Sequence, residues 1–159
     1  LQVLMSELFG MSLTGVNHWI HRLLPLLNRA LSQMGVRPER NPKKFARHER
    51  NQADDHDLII DGTERRRQRP KNKEKQAFYY SGKKKAHTDK NVVITDKKTT
   101  RVGFLSQTYN GKTHDKKIAD QEGIRYPKQA RLHKDTGFQG YEPKVEHSYQ
   151  PKKSQKEAS

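Results

Sequence analysis

The sequence predicts an α/β fold with a mixed sheet, preceded by a small all-α module. Two patterns support this prediction. Residues 1–34 carry apolar side chains at helical spacing, whereas short apolar runs typical of strands begin at Leu58. The later elements follow the order strand, hairpin, strand, helix, strand, which describes the front part of an α/β domain. With 159 residues of which 30% are hydrophobic, one core through the whole chain is not expected.

The all-α module is predicted over residues 1–36 as two helices. The first ends at Gly10, and the second begins near Ser12 or Thr14 and ends before Gly35. Pro25 is expected to kink or divide the second helix. Two helices joined by a short turn are typical of a helix-turn-helix, in which the second helix reads DNA. The alternative is a helical hairpin that packs on a domain or a second subunit. The candidate DNA contacts are Thr14, Asn17, His18 and Arg22.

Charge indicates an anionic partner. The chain carries a net charge of +15, and its residues 54–64 hold five acidic and no basic side chains. Residues 65–90 hold eleven basic and two acidic ones. Such a contrast suggests a cation site beside bound DNA, although a disordered polyampholyte or a generic RNA-associated basic protein would share the composition. The absence of cysteine excludes disulfides and Cys-ligated zinc. No apolar run approaches the roughly 18 residues of a membrane span, so no membrane partner is expected.

The remaining segments divide into a linker, a domain and a tail. We predict a basic linker over residues 37–57, an α/β domain over 58–143 and a disordered polar tail over 144–159. Strands are expected at 58–60, 79–80 and 131–134, and a hairpin at 92–106 that turns at 96–98. A short helix is expected at 114–123, with Thr113 as its cap.

Two carboxylates follow predicted strands. Asp61 comes directly after Leu58–Ile60 and before a glycine, and Asp135 follows the strand at 131–134. A negative charge at the end of a buried strand is costly unless a cation neutralises it, and Mg²⁺ needs only one or two carboxylates plus substrate phosphates. The alternative is that each aspartate is a turn residue that accepts backbone N–H bonds. Spacing alone favours that alternative.

Five stretches in order change this balance. They are Leu-Ile-Ile-Asp-Gly-Thr-Glu (58–64), Arg-Pro-Lys-Asn-Lys-Glu-Lys-Gln (69–76), Tyr-Tyr-Ser-Gly-Lys-Lys-Lys-Ala-His-Thr (79–88), His-Asp-Lys-Lys (114–117) and Asp-Thr-Gly-Phe-Gln-Gly-Tyr (135–141). Together they resemble bacterial insertion-sequence transposases of the DDE superfamily that carry a helix-turn-helix before the catalytic domain. The resemblance implies a ribonuclease-H-like sheet, cleavage and transfer of DNA phosphodiesters, and Mg²⁺ or Mn²⁺ as cofactor. It also implies terminal inverted repeats and target DNA as partners, a homodimer, and a cytoplasmic, nucleoid-associated location in a bacterium.

The family's catalytic residues are two aspartates and a glutamate. The aspartates match Asp61 and Asp135, which are therefore expected to be catalytic and to bind the metal. The glutamate should lie on a helix further downstream, so the sheet is expected to be incomplete and the chain truncated before it. Glu146 lies only 11 residues after Asp135 on a polar segment, and we do not assign it this role. We expect the chain to bind DNA without cleaving it alone, or to serve as a non-catalytic regulator or competitor of a full-length transposase.

Basic residues beside the first carboxylate are expected to hold the DNA backbone through charge-assisted contacts and counterion release. The alternative for any charge run is a solvated loop. The lysines at 83–85 are expected on a turn or strand edge. On a strand, alternation would divide them between two faces. The candidates are Arg65, Arg66, Arg67, Arg69, Lys71 and Lys73 in the first group, and Lys83, Lys84 and Lys85 in the second.

Overall fold

A computed structural model describes residues 2–48 and 56–152 of the chain. The chain divides into two compact units, Leu1–Arg37 and Pro38–Ser159. The division lies next to the predicted end of the helical module at residue 36. Asp54 and Asp55 of the acidic segment and the tail from residue 153 fall outside the described residues. None of the helices in the described parts is long and apolar enough to cross a bilayer.

The first unit consists of helices α1 (Gln2–Phe9) and α2 (Leu13–Gln33). Gly10 adopts a φ of 59° between them, a left-handed conformation that suits glycine. Ser12 caps α2, because its hydroxyl accepts a hydrogen bond of 3.1 Å from the Gly15 amide. Helix α2 continues through Pro25, so the division expected there does not occur. The two helices are as predicted, while their use as a helix-turn-helix stays a prediction.

Burial in the first unit is slight. Val16 is the buried residue of α2, whereas Trp19 is 45% exposed and the α2 leucines at 23, 24, 26 and 27 are each at least half exposed. Trp19 therefore does not belong to a core of this unit. An apolar surface of this kind on a small helical unit is typical of a face that packs on something else.

The second unit is built on a mixed, seven-stranded sheet in the order β2-β3-β1-β6-β7, with β4 and β5 also paired to β3. Strands β1 and β3 are long and antiparallel, whereas β6 runs parallel to β1 and β7 parallel to β6. The strands are β1 (Asp57–Arg66), β2 (Tyr80–Ser81), β3 (Ala86–Asp96), β4 (Val102–Leu105), β5 (Tyr109–Asn110), β6 (Arg131–Lys134) and β7 (His147–Tyr149). Its helices are α3 (Phe45–His48), α4 (Lys73–Tyr79) and α5 (Asp115–Glu122).

The core lies on one face of this sheet. Leu58 and Ile60 of β1 and Leu132 of β6 are buried there, together with Ile118 of α5 and Phe138 of a 3₁₀ turn at Thr136–Phe138. Alternation along β1 places Ile59 on the other face, where it is 38% exposed. Helix α5 ends at Gly123, whose φ of 58° forms the left-handed cap.

Several boundaries differ from the sequence predictions. Strand β1 continues to Arg66, so Asp61 lies in mid-strand rather than at its end. Tyr79 ends helix α4, which the sequence analysis missed, and only Tyr80 begins a strand. Lys83–Lys85 form the turn between β2 and β3, so alternation along a strand does not apply to them. The strand β6 and the turn of the β3–β4 hairpin lie where they were predicted, but β3 begins at Ala86, six residues before the predicted start of the hairpin.

Residues 38–48 belong to the domain rather than to a separate linker. Phe45 is fully buried and packs against Phe104 and Tyr126, with ring centroids 5.7 and 6.0 Å away. The Glu39 amide donates a 2.8 Å hydrogen bond to the Gly103 carbonyl. The predicted disordered tail also differs, because β7 lies within it and pairs with β6. Long-range packing, which local composition does not reveal, fixes both segments.

Phe45→Ala tests whether this segment is part of the domain. Removing a fully buried phenylalanine should lower the free energy of unfolding by about 3–5 kcal/mol. The measurement is urea unfolding followed by circular dichroism. Phe78→Ala is the matched control, because Phe78 is 52% exposed and should change stability little. Equal small effects of both substitutions would show that residues 38–48 are dispensable to the fold.

Candidate active site

Asp61 and Asp135 lie side by side on the sheet. The parallel register pairs Ile60 with Lys134, so the next residues, Asp61 and Asp135, are neighbours just beyond the last pair. Leu58 and Leu132 are opposite each other and both buried, whereas both aspartates are exposed. Because side chains alternate along a strand, Asp61 points away from the core. The register therefore places Asp61 and Asp135 at neighbouring positions, and both are exposed.

Each aspartate also makes a local backbone contact. Asp61 Oδ1 accepts a 2.7 Å hydrogen bond from the Gly62 amide. Asp135 Oδ1 accepts one of 2.9 Å from the Gly137 amide and caps the 3₁₀ turn. These are the contacts of the alternative interpretation, in which the residues are turn or cap residues. Each bond uses one carboxylate oxygen, so the geometry is compatible with either role.

The donor set suits a hard divalent ion that is completed by substrate. Two exposed carboxylates on adjacent strands supply the oxygen ligands that Mg²⁺ takes, and phosphate oxygens and water supply the rest. Within residues 2–48 and 56–152, no group of three or more His, Cys, Asp or Glu side chains could hold a metal ion. The site fits a metal that binds together with DNA, rather than one that the protein encloses.

A third carboxylate lies beneath the pair. Asp115 stands in the first turn of α5, and its side chain is 15% exposed. A Cβ on Gly62 would lie 2.5 Å from Asp115 Oδ1, and one on Gly137 would lie 3.0 Å from Oδ2. Because Gly62 and Gly137 have no side chain, they leave the space that Asp115 occupies. Any side chain at Gly62 would have to displace this carboxylate.

The ammonium group of Lys90 compensates the charges of two carboxylates below the site. Its Nζ lies 3.2 Å from both Glu64 Oε1 and Asp115 Oδ1, and its side chain is 8% exposed. It also donates a 2.9 Å hydrogen bond to the Thr113 carbonyl oxygen. Asp115 Oδ1 is buried and receives no hydrogen bond, so the ion pair is what compensates its burial. The cluster joins β1, β3 and the start of α5.

Glu64 is the second acid of this cluster. Burial raises its pKa, but hydrogen bonds from Ser81, Thr88 and Lys90 and the charge of Lys90 outweigh that, so the pKa lies below its ordinary value of 4.5. Strand alternation puts Glu64 on the face opposite Asp61. Glu64 is thus a structural acid and does not join Asp61 in binding a metal.

Neither Lys90 nor Asp115 is among the residues predicted from the sequence for this site. Residues 86–91 are so polar that their sequence does not indicate a strand. Their burial results from pairing with β1 and β5. A lysine on the same face as buried Val92 and Ile94 was the available signal for an internal ion pair. His114 is the N-cap residue of α5 but makes no side-chain cap bond, and Thr113 instead bonds Asn110.

The predicted DNA contacts differ in their availability. Arg67 is engaged within the domain, with Nη1 2.7 Å from Asp89 Oδ1 and its guanidinium carbon 3.7 Å from the Tyr79 ring centroid. Arg69 donates a 2.9 Å bond to Gln76. The remaining candidates are exposed, and those of the first unit lie along α2. They are Arg65, Arg66, Lys71, Lys73, Lys83, Lys84 and Lys85, and, in the first unit, Thr14, Asn17, His18 and Arg22.

Comparison with known proteins identifies the family. Residues 60–159 match the family model described as DDE superfamily endonuclease, which is more than half of the chain. No curated protein and no solved structure matches the chain. The curled mixed sheet with its parallel β1–β6 pair is consistent with a ribonuclease-H-like endonuclease domain of this kind. The chain therefore belongs to the DDE superfamily endonuclease family.

Lys90→Met tests the buried ion cluster. Removing the cation leaves the largely buried carboxylates of Glu64 and Asp115 without the charge that compensates them, which should cost about 3–5 kcal/mol in the free energy of unfolding. Urea unfolding measures the change. The matched control is Lys97→Met, because Lys97 is 49% exposed and lies 4.0 Å from Asp57, so its loss should cost less than about 1 kcal/mol. A neutral result for Lys90→Met would remove the cluster from the account of stability.

The lowered pKa of Glu64 predicts a pH dependence. Because its pKa is lower in the folded state, its ionisation stabilises the fold above pH 4.5, and this contribution is lost as the pH falls below that value. Unfolding free energies measured from pH 6 downwards should therefore fall less steeply in Glu64→Gln than in wild type. Glu146→Gln, at a side chain 52% exposed, is the control and should keep the wild-type slope. Parallel profiles for all three proteins would contradict the assignment.

Proposed function

We propose that the chain binds DNA and carries catalytic residues of a transposase of the insertion-sequence type. The observation that carries the proposal is the position of Asp61 and Asp135 directly after the last parallel pair, Ile60 with Lys134, in a chain that belongs to the DDE superfamily endonucleases. In this proposal, both aspartates are catalytic residues. The substrates are the DNA phosphodiesters at the terminal inverted repeats of the element and in target DNA.

Asp61 and Asp135 would hold Mg²⁺ or Mn²⁺ through their exposed carboxylates. When bound, such an ion activates the attacking oxygen and stabilises the leaving oxygen of a phosphodiester. The protein's own part is to place the two carboxylates and to hold the DNA backbone against them. Strand pairing fixes the spacing of the aspartates, and the Lys90 ion cluster fixes α5 beneath them. Exposed Arg65 and Arg66, on the same strand as Asp61, would contact phosphates.

We infer that this chain does not cleave DNA alone. The family uses a third carboxylate, and Glu146 does not supply it. His147 pairs with Arg131 at the start of β6, which puts Glu146 at the other end of that strand from Asp135. At about 3.3 Å per residue, that separation is about 15 Å. With two carboxylates, a metal would be held without the ligand that completes its placement, so DNA binding would persist while catalysis would not.

A second candidate function follows from the same argument. If the two-carboxylate site is inactive, the chain can serve as a regulator or competitor that occupies repeat ends. The exposed residues of α2 would then read the ends, and its exposed leucines would pack a second copy into a homodimer. Either function places the protein on the DNA of a bacterium, in the cytoplasm and on the nucleoid.

Metal binding tests the assignment of the two aspartates. Free Mn²⁺ measured by electron paramagnetic resonance should show binding to the wild-type chain mixed with duplex DNA. Asp61→Asn and Asp135→Asn should each weaken that binding at least about tenfold, since even outer-shell changes cost 10–100-fold. Asp120→Asn is the control, because Asp120 is 42% exposed and pairs with Lys116 on the surface of α5. Unchanged Mn²⁺ affinity in both site variants would reject the metal site.

DNA assays complete the test. Gel shifts should show that wild type binds repeat-end DNA more tightly than random duplex at physiological salt, and equal affinities would argue against end recognition.

Plasmid nicking should be absent with Mg²⁺ or Mn²⁺. Nicking that depends on the metal and disappears in Asp61→Ala would overturn the inference that the chain is inactive alone.

A further inference from the structure

A basic cavity is lined by residues from stretches of the sequence that the proposed catalytic site does not use. It has a volume of about 760 Å³ and lies between α4, the β2–β3 hairpin and the loop before α5. We propose that this cavity binds one unpaired nucleotide of the DNA substrate, with its phosphate on the cations and its base on the aromatic rings. The proposal rests on the proposed DNA function of the chain. The lining residues are Arg69, Lys73, Gln76, Ala77, Tyr80, Gly82, His87 and Lys112.

The charge of the lining suits a phosphate. Three of these residues, Arg69, Lys73 and Lys112, are permanent cations that come from three separate segments of the chain. Their side chains are exposed, and no carboxylate is among the described residues that line the cavity. Converging cations without an acid create a local positive potential, which attracts an anion and is not neutralised internally. A phosphodiester is the anion that the proposed function supplies.

One of the cations is held in place. Arg69 donates a 2.9 Å hydrogen bond from Nη2 to Gln76 Oε1, and Gln76 Nε2 donates one of 2.8 Å to the Pro70 carbonyl. Gln76 itself lies on α4, whose N-cap Asn72 accepts a bond from the Lys75 amide. The bond to Gln76 uses one of five guanidinium N–H groups, so the others remain to bind a phosphate. A fixed guanidinium loses little entropy when it binds.

The aromatic residues suit a base. Tyr80 is 44% exposed, and its ring meets His87 edge-on with centroids 5.7 Å apart. Whichever ring presents its edge in this pair, His87 covers at most one face of the tyrosine, so at least one face can stack. Gly82 lines the same cavity, and a Cβ there would meet nothing within 4 Å, so this side is open. Stacking on aromatic rings accepts any base, provided that the base is out of the duplex.

The cavity is separate from the paired aspartates. Val93 is the partner of Asp61 on β3, and His87 lies six residues along the same strand. At about 3.3 Å per residue this separation is about 20 Å. A duplex whose scissile phosphate reached Asp61 could place a nucleotide several steps away into the cavity only if that nucleotide were unpaired. The cavity therefore favours DNA with a single-stranded overhang or an extruded base over a fully paired duplex.

Two DNA probes with the same duplex test the proposal. One is blunt, and the other carries a short thymidine overhang; binding to the full chain is measured by fluorescence anisotropy. Wild type should bind the overhang probe more tightly. Tyr80→Ala should weaken overhang binding about tenfold and leave blunt binding unchanged, since stacking belongs to the unpaired base. Tyr80→Phe keeps the ring and should retain the preference, which separates stacking from a fault in folding.

Charge variants test the phosphate contact. Lys112→Ala should weaken overhang binding and reduce the salt dependence of that binding by about one ion. Lys128→Ala removes one exposed charge that does not line the cavity and should leave the overhang preference intact. Circular dichroism confirms that each variant is folded.

The outcomes separate this proposal from the proposed function. If wild type binds blunt and overhang DNA equally and Tyr80→Ala changes neither, the cavity proposal is wrong while DNA binding stands. If wild type binds neither probe, both proposals are wrong. Tighter binding of a uridine overhang than of the thymidine overhang would overturn the assignment to DNA and favour RNA.

Discussion

The parallel pairing of β1 with β6 is the constraint on which the second unit depends. These strands are 65 residues or more apart in the chain, and their register sets Leu58 opposite Leu132 on the buried face. The same register sets Asp61 beside Asp135 on the exposed face. Hydrophobic burial on one side of the sheet thus determines the spacing of charge on the other, because alternation couples the two faces.

The ion cluster under this pair shows how the domain accommodates its charge. Two buried acids, Glu64 and Asp115, share Lys90, and the resulting network ties the antiparallel half of the sheet to α5. A buried ion pair is weak support for stability in itself, but its geometry specifies one arrangement of the elements that it joins. Here those elements are the ones next to the two exposed aspartates. The glycines at 62 and 137 leave room for this network, which explains their small size.

Sequence patterns predicted the elements that have a local signal. Apolar runs identified β1, the β3–β4 hairpin and β6, and the motif resemblance singled out Asp61 and Asp135. Helix α4 was missed because Lys73–Tyr79 has no apolar stripe and depends on its Asn72 cap and on contacts with β3. The segment around Phe45 was assigned to a linker, since one aromatic side chain in a basic stretch does not reveal that it fills the core. The ion cluster could not be predicted, because strand pairing joins Glu64 to Lys90, and α5 adds Asp115.

The alternation of β1 has a consequence for how this lineage can change. Asp61 faces outward only because it lies an odd number of positions after the buried residues Leu58 and Ile60. If one residue between Leu58 and Asp61 were lost, strand β1 could shift its register so that its apolar side chains stayed buried. The Asp61 carboxylate would then point inward against α5. Insertions and deletions in this strand are therefore far more damaging than substitutions.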